Sequence, residues 1–413
     1  MQTTGQRLGL LLVIAAFIWH ALAVLAPTPI QGPKKNTEAR DFASYYYATR
    51  VAYEGGNPYE VRALNASAQR DGTRNTVHPY FYPPPFLLGM AWTLPLELPT
   101  AYRLNYLFNE LALLMAALAL VRWWRVLGAP LGACLAISGA LMFGVPYGLQ
   151  MGQVNPMVLA LTLTGLWSAE RNRPVLGGAL VGMACMAKMS PALFVMWWLW
   201  RRKWKPAAAS VLTAMLLSFA ALGVTSAAHQ LEFYTQVLPS LGGGEYNGLT
   251  IKIGMFGNHS VPNLWHQVFP SGENVLSAGA RACALASSLA IVGYLASQFD
   301  PKTLDERRLA AQVAAIGCAL LLIPVYTYEH HLIWALPALA YALTALAQGR
   351  LSAGWGVGLA GALVALCFPL PALKQFTTLM LDQRPVAAFC VQEAKFAALM
   401  LLWVCCARLG RRP

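Results

Sequence analysis

Long apolar runs near residues 8–26, 111–121, 207–222 and 309–323 pass almost without a charge. Helices satisfy every backbone N–H and C=O within one segment, so runs of this kind suit spans of a hydrocarbon layer. A transmembrane barrel is excluded, because its strands of roughly ten residues would alternate apolar and polar positions. Composition agrees. Asp, Glu, Lys and Arg make up 11% of the 413 residues, against roughly 25% in soluble proteins, and 57% are hydrophobic. The chain reads as an all-α polytopic membrane protein.

The net charge of +13 comes mainly from Arg and Lys at the ends of apolar runs. That placement records membrane orientation rather than a nucleic-acid partner. Keeping basic residues on the cytoplasmic side gives twelve spans, near 8–26, 100–121, 129–145, 153–169, 174–186, 189–200, 206–226, 276–297, 309–324, 331–348, 352–370 and 391–407. Both termini then fall in the cytoplasm, and three long outer loops result, 27–99, 227–275 and 371–390. The run 8–26 could be a cleaved signal peptide, since Ala21-Leu22-Ala23 resembles a cleavage site. Its long apolar core and single flanking Arg7 favour a retained helix.

Two segments break the pattern. The stretch 84–98 is short and flanked by prolines, so it reads as a helix lying on the outer surface. The pair 174–186 and 189–200 is short for two crossings but basic at both ends, which predicts a hairpin with Lys188-Met189-Ser190-Pro191 at its tip. Eight cysteines sit in or beside apolar stretches without metal-type spacing, as small core residues do. With no repeat or low-complexity tract, 1–413 reads as one membrane domain.

Polar groups beside hydrocarbon are costly and mark function by default. Asp41 begins a helix expected over 41–53 that carries Tyr45 and Tyr46; on position alone, an N-cap role is the stronger reading. His78 and Tyr82 lie in an aromatic, proline-rich entry to the surface helix, which an interfacial aromatic belt also explains. Gln153 and Asn155 could bind sugar hydroxyls or cap a helix. Lys188 is a lone ammonium that needs an anionic partner from elsewhere in the fold. Asn258 and His259, with Ser260, Asn263 and His266 nearby, occupy the second outer loop. Glu329, His330 and His331 end another span; adjacent histidines point ~100° apart on a helix, so a phosphate or hydroxyl contact fits them better than zinc. Glu110, with Arg103, Asn105 and Asn109, is either an internal network or part of the site.

Taken in order, Asp41-Phe42-x-x-Tyr45-Tyr46, Tyr82-Pro83-Pro84, Gly152-Gln153-x-Asn155, Lys188-x-x-Pro191, Gly257-Asn258-x-Ser260 and His330-His331-x-x-Trp334 resemble glycosyltransferase family 87. These are membrane enzymes of the GT-C class that use polyprenyl-phosphate sugars. The resemblance implies a GT-C type bundle of about twelve transmembrane helices, with periplasmic juxtamembrane helices in the first outer loop. It also implies an inverting transfer, with mannose the first expectation for the sugar and arabinose or another pentose or hexose the alternative. The donor would be a polyprenyl-phosphate sugar, the acceptor a lipid-linked or envelope glycan, and the location a bacterial inner membrane with the site on the periplasmic face.

By that resemblance Asp41 takes the role of general base, reversing the N-cap reading. Lys188, His330 and His331 would hold the donor phosphate, and Tyr45, Tyr46, His78, Tyr82, Gln153, Asn155, Asn258, His259 and Glu329 the sugar or acceptor. Cationic side chains could neutralise the departing phosphate, so no metal or other cofactor is expected. The segment before His330 is poorer in Ser, Pro and Trp than the family pattern, which leaves the part of Glu329 open. Transporters and flippases also carry sparse internal charges. They tend to place them near the midplane and to show duplicated halves, whereas here the polar residues gather at one face. A purely structural membrane subunit would not need Asp41, Lys188 and the paired histidines on that one side.

Overall fold

The computed structural model describes residues 40–411 apart from 74–75, 143, 243–246, 248–251, 273, 303–304 and 382–383, together with residues 11, 14 and 18. It is 76% helix, and no strand occurs among the described residues. The chain forms two compact units. One comprises the described parts of Pro27–Ala116 and Gly148–Ile251, the other those of Met1–Ala26, Ala117–Tyr147 and Lys252–Pro413.

In the first unit, α1 (Arg40–Tyr53), α2 (Val61–Arg70) and the single-turn α3 (Pro85–Met90) precede the long α4 (Leu98–Trp123). The stretch expected to lie on the surface is thus a short helix ending in a 3-10 turn over Ala91–Thr93, too short to cross. The chain then passes through α5 (Pro130–Leu141), which belongs to the second unit, and α6 (Gly144–Gln150), divided between the two, before the first unit resumes with α7 (Asn155–Glu170), α8 (Pro174–Ala187), α9 (Ala192–Trp200) and α10 (Trp204–Ala221). Glycines let α8 lie against both α7 and α10. A Cβ on Gly177 would stand 2.5 Å from the Gly165 carbonyl oxygen, and one on Gly182 would stand 2.6 Å from that of Ser210. Small residues of this kind bring helix backbones together where lipid supplies no hydrophobic drive. Ser210 Oγ secures the α8–α10 contact by donating to the Gly178 carbonyl at 2.9 Å.

The first unit also holds α11 (Ala227–Glu232) and α12 (Leu238–Gly242); in the second, after α13 (Val261–Val268) and α14 (Ala278–Gln298), α15 (Glu306–Leu322) is buried without interruption from Leu309 to Leu322. It is therefore a core helix. A 3-10 segment, Glu329–Ala335, leads directly into α16 (Leu336–Ala347), and α17 (Ala353–Cys367) follows.

The third expected outer loop, 371–390, is instead helical, with α18 (Leu370–Leu381) and α19 (Pro385–Gln392) preceding α20 (Ala394–Leu409). A bend of 102° separates α17 from the helix that follows, so the apolar run ending near 370 turns and continues as helix. Of the cysteines read as core residues, Cys185, Cys318, Cys405 and Cys406 are buried, whereas Cys390 is exposed.

Among the described residues, four helical stretches are long and apolar enough to cross a membrane: Leu98–Trp123, Trp204–Ala221, Ala278–Gln298 and Glu329–Ala347. Counting each bent pair as one span raises the number to seven. The twelve expected spans exceed this because several of them are short helices, with 16 residues in α7, 14 in α8, 9 in α9 and 17 in α15. The first expected span lies almost wholly outside the described residues.

Candidate active site

The seat of Asp41 is built from backbone. The Met151 carbonyl accepts from the amides of both Asp41 (3.0 Å) and Phe42 (3.2 Å), so one oxygen satisfies two of the N–H groups that a helix start leaves without partners. The next residue must be glycine on two grounds. Gly152 has φ +73°, and a Cβ there would collide with Cβ of Phe42. The loop itself is tied to α4, where Tyr102 Oη donates to the Gln150 carbonyl (2.7 Å) and Asn105 Nδ2 to that of Gly152 (3.1 Å). Helix α1 is thereby held against residues more than a hundred positions later.

This docking delivers Gln153 to Asp41. Its Nε2 donates to Asp41 Oδ2 at 2.5 Å. Two tyrosines hold the other end of the amide. Tyr45 Oη donates to Tyr82 Oη (2.7 Å), and both hydroxyls lie within reach of Gln153 Oε1, at 3.2 Å for Tyr45 and 3.4 Å for Tyr82. A phenol has one proton, so the consistent order is Tyr45 to Tyr82, Tyr82 to Gln153 and Gln153 to Asp41. Tyr45 shares a face with Asp41 because four residues along a helix is nearly one full turn.

Lys188 joins the cluster from the turn after α8. Its backbone is extended, with φ −156° and ψ 126°, which takes the side chain off the helix. Its Nζ donates to Asn155 Oδ1 at 2.8 Å and stands 5.9 Å from the centre of the Tyr82 ring. Burial pulls the Lys188 ammonium down to about 7, and the charge of Asp41 opposes that fall. Burial pushes the Asp41 carboxyl above its ordinary range, against the Gln153 hydrogen bond and the charges of Arg40 and Lys188. At the rim, Arg40 Nε donates to His78 Nε2 at 2.6 Å; burial and that guanidinium bring His78 down to about 4, so it is a neutral acceptor.

Seven of the residues expected from sequence, Asp41, Tyr45, His78, Tyr82, Gln153, Asn155 and Lys188, thus meet in one unit. Tyr46 does not join them. Five residues beyond Asp41 it lies ~140° around the helix, and its hydroxyl donates to the Leu96 carbonyl at 2.7 Å. Glu110 also stands apart, accepting from Tyr106 Oη at 2.7 Å, while Asn109 Nδ2 donates to the Asn105 carbonyl. Arg40, missed from sequence, had a signal in its place beside Asp41 at the helix start.

The remaining expected residues lie in the other unit, where they form a different kind of structure. Glu329 is buried with both oxygens engaged, Oε1 by His259 Nε2 at 2.9 Å and Oε2 by Lys395 Nζ at 2.6 Å. Asn258 is fully used by backbone: Nδ2 donates to the Ile253 and Val325 carbonyls, and Oδ1 accepts from the Thr327 amide. Asn258 and Glu329, expected on sugar or acceptor, therefore act here as fasteners, because every strong hydrogen-bonding atom of their side chains is already engaged within the fold. His259 shares that ion cluster. His331 Nδ1 accepts from the Tyr328 amide at 3.1 Å, and its ring centre lies 4.1 Å from that of His330. Lys395 was missed from sequence, although a cation in an apolar run is the same signal that marked Lys188.

A carboxylate with a tuned proton affinity, an amide oriented on it and a buried ammonium can together accept a proton and stabilise a departing anion. The sequence profile of glycosyltransferase family 87 matches residues 80–324, more than half of the chain. That range holds Tyr82, Gln153, Asn155 and Lys188, and Asp41 is bonded to it through Gln153. No curated protein and no solved structure matches the chain. The profile match over the stretch that forms most of the cluster shows that the chain belongs to glycosyltransferase family 87 and is a glycosyltransferase.

Proposed function

We propose that Asp41 is the general base of an inverting transfer from a polyprenyl-phosphate sugar, with mannose the first candidate, to a hydroxyl of a lipid-linked or envelope glycan. The carrying observation is that Asp41 is held through Oδ2 alone by Gln153, in the same cluster as a buried lysine. Its other oxygen would take the acceptor proton as the acceptor oxygen attacks the anomeric carbon. The bond from that carbon to the phosphate oxygen breaks on the opposite side, and polyprenyl phosphate leaves. Lys188, whose proton affinity burial lowers, is held in its charged form by the arriving phosphate and offsets the negative charge as the bond breaks. That positive charge supplies what a metal would, so the reading invokes none. Asn155 holds the ammonium in place, and Tyr82 walls it.

The reading uses residues of one unit only. It implies a GT-C type bundle in which the short helices complete about twelve crossings, in a bacterial inner membrane with both termini cytoplasmic and Asp41 on the periplasmic side. The test is transfer from a short-chain polyprenyl-phosphate mannose by purified protein, wild type beside Asp41→Asn, with a membrane lipid extract as acceptor. Labelled product with wild type alone supports the assignment. Equal transfer by both removes Asp41 as base. No transfer by either, repeated with the arabinose donor, removes this donor class.

A further inference from the structure

At the far ends of α7, α8, α9 and α10 lie two turns of the same construction. Helix α7 ends at Glu170 with Asn172 at φ 61°, and the Arg173 amide donates back to the Ser168 carbonyl at 3.0 Å. Helix α9 ends at Trp200 with Arg202 at φ 57°, and the Lys203 amide donates back to the Trp198 carbonyl at 2.8 Å. Both are Schellman-type endings, in which a left-handed residue lets the chain reverse at once into the next helix. At Arg202 this conformation is held by a residue with a Cβ, which is uncommon.

Glu170 ties the two turns side by side. Oε1 takes Arg201 Nη1 at 2.7 Å and Oε2 takes Lys203 Nζ at 2.5 Å, with the Arg201 side chain only 2% exposed. No Asp or Glu occurs from 171 to 205. Glu170 is engaged by both Arg201 and Lys203, and Arg173, Arg202 and Lys205 stand exposed in the same two turns, which contain no further acid. The surface continuing from them is apolar. Trp204 is 62% exposed where α10 begins, and Met215 (64%) and Phe219 (74%) lie outward along the same helix, one of those able to cross a membrane.

We propose that this pair of turns binds the headgroup phosphodiester of an anionic phospholipid, with the acyl chains lying along the exposed face of α10. Charge complementarity selects the occupant. The three exposed cations Arg173, Arg202 and Lys205 call for an anion at the membrane surface, and the Trp204 ring and apolar face for hydrocarbon immediately beneath it. Glu170 organises the site from behind, pairing with a cation from the end of α9 and one from the start of α10 and so reducing the repulsion between the two turns. Nothing in the proposal depends on the transfer chemistry at Asp41.

The experiment uses the full-length protein in nanodiscs of phosphatidylcholine with phosphatidylglycerol added, followed by gentle delipidation and native mass spectrometry. The wild type is expected to retain phosphatidylglycerol and not phosphatidylcholine. Replacing Arg173, Arg202 and Lys205 with Gln should weaken that retention on the order of a hundredfold, about fivefold for each cation. The matched control replaces Arg122, Arg125 and Lys302 with Gln, removing the same charge elsewhere, and should retain the lipid. Equal loss in both triple variants would overturn the site in favour of diffuse attraction. Unchanged retention in the Arg173, Arg202 and Lys205 variant would overturn it outright, provided circular dichroism shows both variants folded.

Discussion

A primary amide has an acceptor end and a donor end, and Gln153 has no freedom to exchange them. An ionised Asp41 carboxylate only accepts, so it takes Nε2 and leaves Oε1 to the tyrosine hydroxyls, which fixes one carboxylate oxygen and leaves the other for chemistry. Since that hydrogen bond lowers the proton affinity of Asp41 against burial, Gln153→Leu should raise it. The base must be ionised to act, so the acid limb of the pH–rate profile should move to higher pH, with kcat at neutral pH falling on the order of a hundredfold. A profile that keeps its shape would show Gln153 to be a packing residue.

Lys188 predicts the other limb. With its ammonium at about 7 in the unliganded protein, kcat/KM for the donor should fall as pH rises through that value, because the neutral amine no longer attracts phosphate. Lys188→Met should abolish this limb. These residues were legible in the sequence because each is polar amid apolar neighbours, where such groups carry a cost. Tyr46 carries the same sequence signal as its neighbour Tyr45, and only the helical angle takes it away from the cluster.

Among the elements, the short loop before α7 decides whether the α1 helix can dock. Gly152→Ala would place a methyl group against Phe42 and impose a left-handed φ on a residue with a Cβ, costing roughly 1–3 kcal/mol locally. The expected result is loss of transfer with the bulk of the helix content retained, read by activity beside circular dichroism; full activity would show that α1 needs no such seat. The Gly152-Gln153 spacing was visible in sequence as a polar helix end. Its reason was not, since the collision it avoids is with a residue distant along the chain. Helix lengths were poorly legible for a similar cause. Apolar composition marks a run, but bends and packing set where each helix stops, so 371–390 reads as loop in sequence and the end of α9 after nine residues is not visible there.

In the molecule as a whole, distant segments are fastened by a few buried polar contacts. Lys395, Glu329 and His259 join parts of the chain about 66 and 70 residues apart. Removing one partner of a buried ion pair leaves an uncompensated charge, so Lys395→Met should destabilise the fold by about 3–5 kcal/mol. Removing both charges in Lys395→Met with Glu329→Gln should restore much of that loss, measured by thermal denaturation in detergent; a double variant no better than the single would show that the pair is not the unit of stability. Such pairings lie beyond single-sequence reasoning, because a lysine in an apolar run has no local feature that names its partner. The all-helical membrane class needed only composition and continuity, and was legible throughout.

The link between Gln153 and Asp41 also bears on how the protein is made. The two residues are 112 positions apart. At 5–20 residues per second, synthesis of that interval takes on the order of ten seconds. For that time the nascent chain has neither the Gln153 amide for its carboxylate nor the Met151 carbonyl for the amides of Asp41 and Phe42, and the cluster can form only after translation has passed the loop that follows α6.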